Sequence, residues 1–362
     1  MKEIPIISEG RTISRILTGR RVTDAACLPE SDVFLVYDRA VELLAEAFAQ
    51  AVAQTGKARF RGKMSLEAGE EGKTLESVMA ICRWLLEAGA DRRALLVALG
   101  GGITTDMAGF AASIYKRGIR FAYIPTTLLA QVDAAIGGKT GVNFLDLKNM
   151  LGVIRQPQWT WICPEPLRTL PGRDFRSGAA EMLKTFILGD AAHYAPAVST
   201  LSDLYRKECN LSDREAELEE LIAAAAAVKA AVVGRDPFEK GERRKLNLGH
   251  TFAHGLETRA RQTGTDLTHG EAVAIGTVLA ARLSERMGLA EPGLAARLEA
   301  DFEACGLPTE SPFGLDLLAG AMEKDKKADG GIVHFILPVA VGKVVEKDLD
   351  VSQAVALLRQ TK

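Results

Sequence analysis

Leu95-Leu-Val-Ala-Leu-Gly-Gly-Gly-Ile-Thr-Thr-Asp106 is a short apolar run that meets three glycines and passes into a helical pattern. A run of five apolar residues is the length of a strand buried on both faces, and the helical pattern extends from about Thr104 to Tyr115. Upstream, Val33-Phe-Leu-Val-Tyr37 is a second strand, ending at Asp38 and followed by helical spacing from Ala40. Lys57 to Ser65 reads as a strand, Thr74 to Ala88 as an amphipathic helix and Arg120–Ile124 as a strand that stops at Pro125. Strands alternating with helices imply a parallel sheet covered on both faces. The first part of the chain is therefore expected to be an α/β, Rossmann-like parallel-sheet domain.

From about Arg168 the pattern changes. Ala-, Leu- and Glu-rich segments at Ser177–Leu188, Ser212–Val233, His250–Gln262, Gly270–Arg286 and Pro292–Cys305 are separated by Gly and Pro breaks. These predict a mostly α-helical second domain, with residues 1–168 and 169–362 as the two parts and a cleft between them. Ile332–Val339 reads as a strand or an extended return segment. At 362 residues the chain is long enough for two domains.

Charge and cysteine usage narrow the setting. Lys plus Arg is 45 and Asp plus Glu is 47, a net charge of −2, so nothing overall favours nucleic acid or a membrane surface. The five cysteines, Cys27, Cys82, Cys163, Cys209 and Cys305, form no CxxC pair, which suggests reduced thiols in the cytoplasm. No stretch reaches the ~20 apolar residues that a bilayer crossing needs.

Two clusters carry chemistry. The Gly100–Gly102 turn, with Asp106 one turn into the helix, is a place where backbone approaches a diphosphate and a helix N-terminus offers N–H groups. It reads equally as a tight strand-to-helix turn. Asp38 fits either an adenosine ribose or a helix cap. The second cluster is richer in ligand atoms. Of five histidines, His250 and His254 stand at i and i+4 on one helix face, and His269 opens the next helix. Glu181 and Lys184, at i and i+3, share a face of a third helix. One carboxylate and two imidazoles form a three-ligand zinc set that leaves positions open for substrate oxygens; spaced histidines also occur as packing accidents. The cations Arg117, Lys139, Lys148, Lys184, Lys229, Arg243 and Lys326 lie near these segments and suit a small anionic ligand, or are ordinary surface charges.

A family resemblance goes further. Gly100-Gly-Gly-Ile-Thr-Thr-Asp106, Tyr115-Lys-Arg117-Gly118, Pro125-Thr-Thr-Leu-Leu129, Val132-Asp133, Gly137-Gly-Lys139-Thr-Gly141-Val-Asn143 and Lys148-Asn149 together resemble the 3-dehydroquinate synthase signature. Thr169-Leu-Pro171, Ala180-Glu181-Met-Leu-Lys184, Arg243-Arg-Lys-Leu-Asn247-Leu-Gly-His250-Thr-Phe-Ala-His254, His269-Gly-Glu-Ala-Val273 and Asp325-Lys326-Lys327 continue it in the same order. The match runs from about Val33 to Gly342.

This resemblance implies an NAD-binding α/β domain, a helical metal-binding domain and a homodimer. The implied reaction turns 3-deoxy-D-arabino-heptulosonate 7-phosphate into 3-dehydroquinate and phosphate, the second step of the shikimate pathway. It would proceed by transient oxidation, phosphate elimination, reduction and aldol closure. Glu181, His250 and His269 match the family's zinc ligands, a set that would also take cobalt. Asp38, Glu70, Lys73, Gly101, Gly102, Asp106, Thr126, Thr127, Lys148, Thr169 and Leu170 match the NAD site. Asp133, Lys139, Lys184, Asn247 and His254 match catalytic positions, and Asn149, Lys229, Arg243 and Lys326 match substrate contacts. Arg117 matches an arginine that enters the neighbouring subunit's site. Thr105 and Thr185 depart from the common pattern, Gly and Tyr being frequent there. Asn247, His254 and Gly138 follow the dehydroquinate pattern rather than that of sister cyclases acting on sedoheptulose 7-phosphate. A non-catalytic NAD- or metal-binding relative is the remaining alternative.

Overall fold

The computed structural model describes residues 1–67, 69–145, 147–207, 209–326 and 333–359, without the side chains of 323–326. Two compact units emerge: Met1–Phe175 with Leu218–Glu239, and Arg176–Glu217 with Lys240–Lys362. The composition changes once along the chain, near 168/169. The contacts instead return a segment of the helical half, Leu218–Glu239, to the first unit, and Lys229 goes with it.

The first unit is built on a seven-stranded sheet. Its strands are β1 (Lys2–Ser8), β2 (Arg11–Thr18), β3 (Asp32–Asp38), β4 (Arg59–Leu66), β5 (Leu95–Gly100), β6 (Arg120–Pro125) and, beyond a separate ribbon, β9 (Trp159–Ile162). The ribbon pairs β7 (Lys139–Phe144) with β8 (Leu147–Ile154) in antiparallel fashion. In the sheet the order is β1-β2-β9-β6-β5-β3-β4, parallel throughout except for the β1–β2 hairpin.

Successive side chains of a strand point to opposite faces, and both faces here are covered. Phe34, Val36, Leu96 and Ala98 pack with helices α2 (Leu75–Glu87) and α3 (Gly102–Ile114). Val33, Leu35, Leu95 and Val97 pack on the other side with Phe48 and Val52 of α1 (Glu42–Thr55). That two-sided burial is why β3 and β5 read as unbroken apolar runs. Each large side chain so buried contributes about 1.5–3 kcal/mol. Caps contribute less: the Thr74 hydroxyl accepts from Ser77 N at 3.2 Å to start α2, a contact of about 1 kcal/mol. The core, not the caps, decides the architecture.

Strand order reverses at β3, which has β4 on one side and β5 on the other. The carboxyl ends of β3 and β5 at such a switch point are where α/β sheets bind ligands. Asp38 and Gly100 end those two strands.

The second unit contains most of α4 (Gly172–Gly189), α5 (Ala191–Arg206), the beginning of α6 (Glu215–Arg235), α7 (His250–Thr263), α8 (His269–Arg286), α9 (Leu294–Ala304), α10 (Leu315–Lys326), the antiparallel ribbon β10 (Val333–Ala340) and β11 (Lys343–Leu349), and α11 (Val351–Arg359). Helix α8 is its axis: Ala272–Ala281, Leu283 and Ser284 are all buried, the all-round burial of a core helix. The extended segment expected at Ile332–Val339 is β10, with Ile332 itself outside the described residues. Among the described residues no helix is long and apolar enough to cross a membrane.

Candidate active site

In the second unit, close backbone approach sets the ligand geometry. A Cβ on Gly270 would lie 2.3 Å from Ser177 Cα, and one on Gly276 would lie 2.2 Å from the Gly249 carbonyl oxygen. Glycine is therefore required where α8 meets α4 and the start of α7. Gly249, at φ +76°, also has the left-handed backbone that favours glycine, and it caps the helix that His250 begins. The start of α8 is fixed as firmly. Thr268 Oγ1 accepts from Glu271 N at 3.3 Å while Glu271 Oε2 accepts from Thr268 N at 2.8 Å, a reciprocal capping box. His269 is the first helical residue inside that box.

These constraints bring Glu181, His250 and His269 together, one ligand atom of each lying within 4.8 Å of the others. Glu181 Oε1 is 3.1 Å from His269 Nε2 and 3.6 Å from His250 Nε2. Glu181 Oε2 is 2.6 Å from Lys184 Nζ, and Lys184 also donates to the Leu246 carbonyl at 2.9 Å. Both members of that ion pair are buried, at 0% and 1% exposure. The carboxylate thus offers one oxygen to the imidazoles and commits the other to the lysine. His254 is exposed, its ring edge-on to His250 at 5.6 Å between centroids.

Burial by itself would raise the Glu181 carboxyl, but Lys184 and the two imidazoles outweigh it and hold it well below its ordinary range. Burial and the charge of Lys184 push His250 well down, so that ring is neutral and its nitrogen pair is available. For His269 burial acts downward too, yet hydrogen bonds to Glu181 and Glu257 overcome it and raise the group to about 10. One buried carboxylate oxygen and two imidazole nitrogens are the donor set of a catalytic zinc or cobalt site, and the residues fit such a cation. Another ligand-type group among the described residues, His334, Glu346 and Asp348 on the β10–β11 ribbon, differs in kind. It is more exposed, His334 Nδ1 already lies 2.6 Å from Asp348 Oδ1, and Arg244 stands 3.3 Å from Glu346 Oε1.

In the first unit, the Gly100–Gly102 turn runs from β5 into α3. None of the three glycines has a positive φ; they are needed for space. A Cβ on Gly100 would be 2.7 Å from Thr104 Cβ, and Cβ atoms on Gly101 and Gly102 would come within 3.1 Å of Thr127 and Ala134. Thr126 N donates to the Gly100 carbonyl at 2.9 Å, tying β6 to the turn. Thr105 donates to the Gly102 carbonyl at 2.9 Å and is itself buried, so the unusual hydroxyl is absorbed by the helix's own first turn.

Asp106 is held by Lys73, whose Nζ is 2.6 Å from Asp106 Oδ2 and 2.5 Å from Asn149 Oδ1. Burial raises the Asp106 carboxyl to about 6 in spite of that lysine. Asn143 extends the network, donating to Glu70 Oε1 at 2.8 Å and accepting from Asn149 N at 2.9 Å. Asn149 has φ +53°, a left-handed conformation retained inside this network. Asp38 accepts from Ala40 N at 2.9 Å and so caps the turn at Arg39–Val41. Thr127 and Thr169 hold local turns, Thr127 Oγ1 accepting from Ala130 N and Thr169 Oγ1 donating to Pro166 O, while Leu170 follows the turn at Glu165–Thr169. Lys148 is exposed on β8.

Of the cations that the sequence grouped as anion-binding candidates, Lys139, Lys184 and Lys229 are paired with carboxylates. Lys229 Nζ is 2.6 Å from Asp133 Oδ1, and Lys139 contacts Glu239. Together with Lys73–Asp106 and Lys184–Glu181, these make four Lys–carboxylate pairs. Arg243 is buried and Asn247 half-buried in the turn Glu242–Asn247 of the second unit. Arg117 is exposed at φ +66°, following Lys116 at +49°. Lys326 ends α10, and its side chain lies outside the described residues.

Two carboxylates escaped the sequence reading. Glu239, at φ +58°, pairs with Lys139, and Glu257 sits beside His269. The signal for Glu257 was its place seven residues after His250, two turns along the same helix face. Glu239 had no comparable signal.

A family model described as 3-dehydroquinate synthase N-terminal matches residues 63–177, and one described as 3-dehydroquinate synthase C-terminal matches 178–328. Over 280 residues the chain is 44% identical to a 3-dehydroquinate synthase of Shewanella loihica, covering 77% of this chain and 76% of the relative. Against that of Rhizobium etli it is 38% identical over 362 residues, covering 98% and 91%. Among solved structures, a 2-epi-5-epi-valiolone synthase from Streptomyces hygroscopicus subsp. jinggangensis with NAD+ and Zn2+ bound superposes with a TM-score of 0.80 at 29% identity, covering 96% of each chain.

Proposed function

Because the chain belongs to the 3-dehydroquinate synthase family, we propose that it converts 3-deoxy-D-arabino-heptulosonate 7-phosphate into 3-dehydroquinate and inorganic phosphate. The observation that carries this reading is the convergence of Glu181, His250 and His269 with buried Lys184. In this reading the enzyme is a phosphate-eliminating lyase that depends on NAD and on zinc or cobalt.

When bound, the nicotinamide would take up and return one hydride, and the cation would acidify the ring hydroxyl that loses its proton. Glu181, His250 and His269 would hold the cation, and Lys184 keeps the Glu181 carboxylate charged and turned toward the imidazoles. In the first unit, Gly101 and Gly102 leave the backbone at the start of α3 free of side chains, where N–H groups would face the dinucleotide's diphosphate. Asp38, Glu70, Lys73, Asp106, Thr126, Thr127, Lys148, Thr169 and Leu170 complete the proposed dinucleotide set. The Lys73–Asp106 pair supports this, because it fixes both side chains beside that turn.

Substrate binding is assigned to Asp133, Lys139, Asn149 and Lys229 of the first unit and to Lys184, Arg243, Asn247 and His254 of the second, with Lys326. Most of the lysines are already neutralised by carboxylates. An arriving phosphate or carboxylate would therefore replace or share an existing partner rather than meet bare charge. Such preformed pairs keep the side chains positioned before substrate arrives.

A homodimer and a cytoplasmic setting belong to the same reading. The β7–β8 ribbon exposes Phe144, Leu145, Leu147, Met150 and Val153, an apolar patch of the kind that marks an interface. Arg117, in a strained backbone stretch, is the residue proposed to reach the neighbouring subunit's site. All five cysteines are unpaired, as in a reducing compartment.

The test is phosphate release from the heptulosonate with and without chelator, beside the same assay with sedoheptulose 7-phosphate. Release is expected only from the heptulosonate and only with metal present. Preferential turnover of sedoheptulose 7-phosphate would make the protein a sister cyclase; stoichiometric zinc without phosphate release from either would make it a non-catalytic relative.

A further inference from the structure

We propose that Glu257 is a positioning residue that orients His269 for metal binding, a role that rests on the metal site assigned above. Each nitrogen of the His269 ring faces a carboxylate: Nε2 is 3.1 Å from Glu181 Oε1, and Nδ1 is 3.5 Å from Glu257 Oε1. Glu257 projects from α7, two turns beyond His250, and is 8% exposed. A helix that supplies one ligand thus also supplies the support for another.

The chemistry of imidazole makes the arrangement directional. A neutral ring carries one proton, so a cation can take Nε2 only in the tautomer with hydrogen on Nδ1. Glu257 accepts that hydrogen and selects that tautomer. By doing so it also increases the donor strength of Nε2, since a carboxylate draws the Nδ1 proton toward itself. The other imidazole is supported differently: His250 Nδ1 faces the Leu248 carbonyl at 3.1 Å, a neutral acceptor. The two histidines are therefore unequal, His269 being the stronger donor and Glu257 the source of the difference.

The experiment measures Co2+ binding to metal-stripped full-length protein by competition with a chromophoric chelator, with the visible absorption spectrum of the bound ion as a second readout. For Glu257→Ala, affinity is expected to fall about 10- to 100-fold, the usual effect of removing a ligand's outer partner, with an altered visible spectrum. Glu257→Gln keeps an acceptor for the Nδ1 hydrogen without the charge, and it is expected to fall between Ala and wild type. NAD affinity is expected to stay unchanged in both. Wild type that binds no stoichiometric Co2+ would defeat the metal site itself. Wild type that binds it while both variants match it in affinity and spectrum would defeat the role of Glu257 alone. Should Glu257→Ala not fold, Glu257→Gln with wild-type affinity and spectrum overturns the proposal just as well.

Discussion

The two candidate sites are built on opposite principles. Around Gly100–Gly102 the molecule makes room: small residues meet at the carboxyl end of a central strand, backbone is presented, and charged side chains stand to one side as the Lys73–Asp106 pair. Around Glu181 it does the reverse and packs charge inward, with Lys184 and Glu181 fully buried and His250 half-buried beside them. A site made of backbone is local in sequence and tolerates changes around it. A site made of buried charge depends on every partner, since removing one member of a buried pair costs about 3–5 kcal/mol. The difference predicts separable failures.

The largest effect should come from Glu181→Gln, which keeps the shape but removes the charge that faces Lys184 and both imidazoles. Turnover is expected to fall by about 1000-fold or more, with metal content lost and NAD binding retained. Metal analysis and NAD titration on the same sample check this, and coupled loss of both ligands would erase the distinction between the two sites.

Next is the pH dependence of metal binding. His269 is held near 10 by its two carboxylates, so a cation must displace its proton at neutral pH. Affinity should therefore rise by about tenfold per pH unit as pH increases from 7 to 9, one proton leaving per cation bound. A flat profile would mean that the carboxylates do not hold that proton.

Gly101→Val probes the other site. Even a bare Cβ at this position would stand 3.1 Å from Thr127, and the larger side chain crowds the turn further. NAD is expected to bind about tenfold more weakly while Co2+ affinity stays at the wild-type value. Equal loss of both would again collapse the contrast.

The smallest effect concerns stability. Asp106 is raised from 3.8 to about 6 in the folded chain, chiefly by burial. A folded value above the unfolded one means that the proton favours folding: that contribution is complete below the unfolded value and is lost as pH rises through about 6. Urea unfolding of ligand-free protein should show roughly 1–3 kcal/mol of such pH-dependent loss between pH 4 and 7 that Asp106→Asn lacks. Identical slopes in the two proteins would show that Lys73 fully offsets the burial.

Much of this was legible in the residues. Val33–Tyr37, Leu95–Leu99 and Arg120–Ile124 are strands because parallel strands buried on two faces leave a continuous apolar trace. The β7–β8 ribbon leaves no strand signal in its residues: Gly141 and Gly152 cross where a Cβ would come within 2.5 Å of backbone, so glycines stand where β-branched residues would mark a strand. Its outward face, moreover, is apolar, which hides the alternation that marks a half-buried strand. Leu218–Glu239 has the composition of the helical half and clusters with the first unit, where a Cβ on Gly234 would lie 2.4 Å from the Ile7 carbonyl oxygen.

By itself the sequence indicated the main buried strands, the long helices and the family, and the resemblance to that family singled out Glu181, His250 and His269, because periodicity and motif spacing are local properties. Only the tertiary structure decided which charges meet. Lys229 with Asp133, Lys139 with Glu239 and His269 with Glu257 are pairings across 12 to 100 positions of chain. Nothing local specifies them; they follow from how closely helices and strands with small residues can approach, which fixes where each long side chain ends.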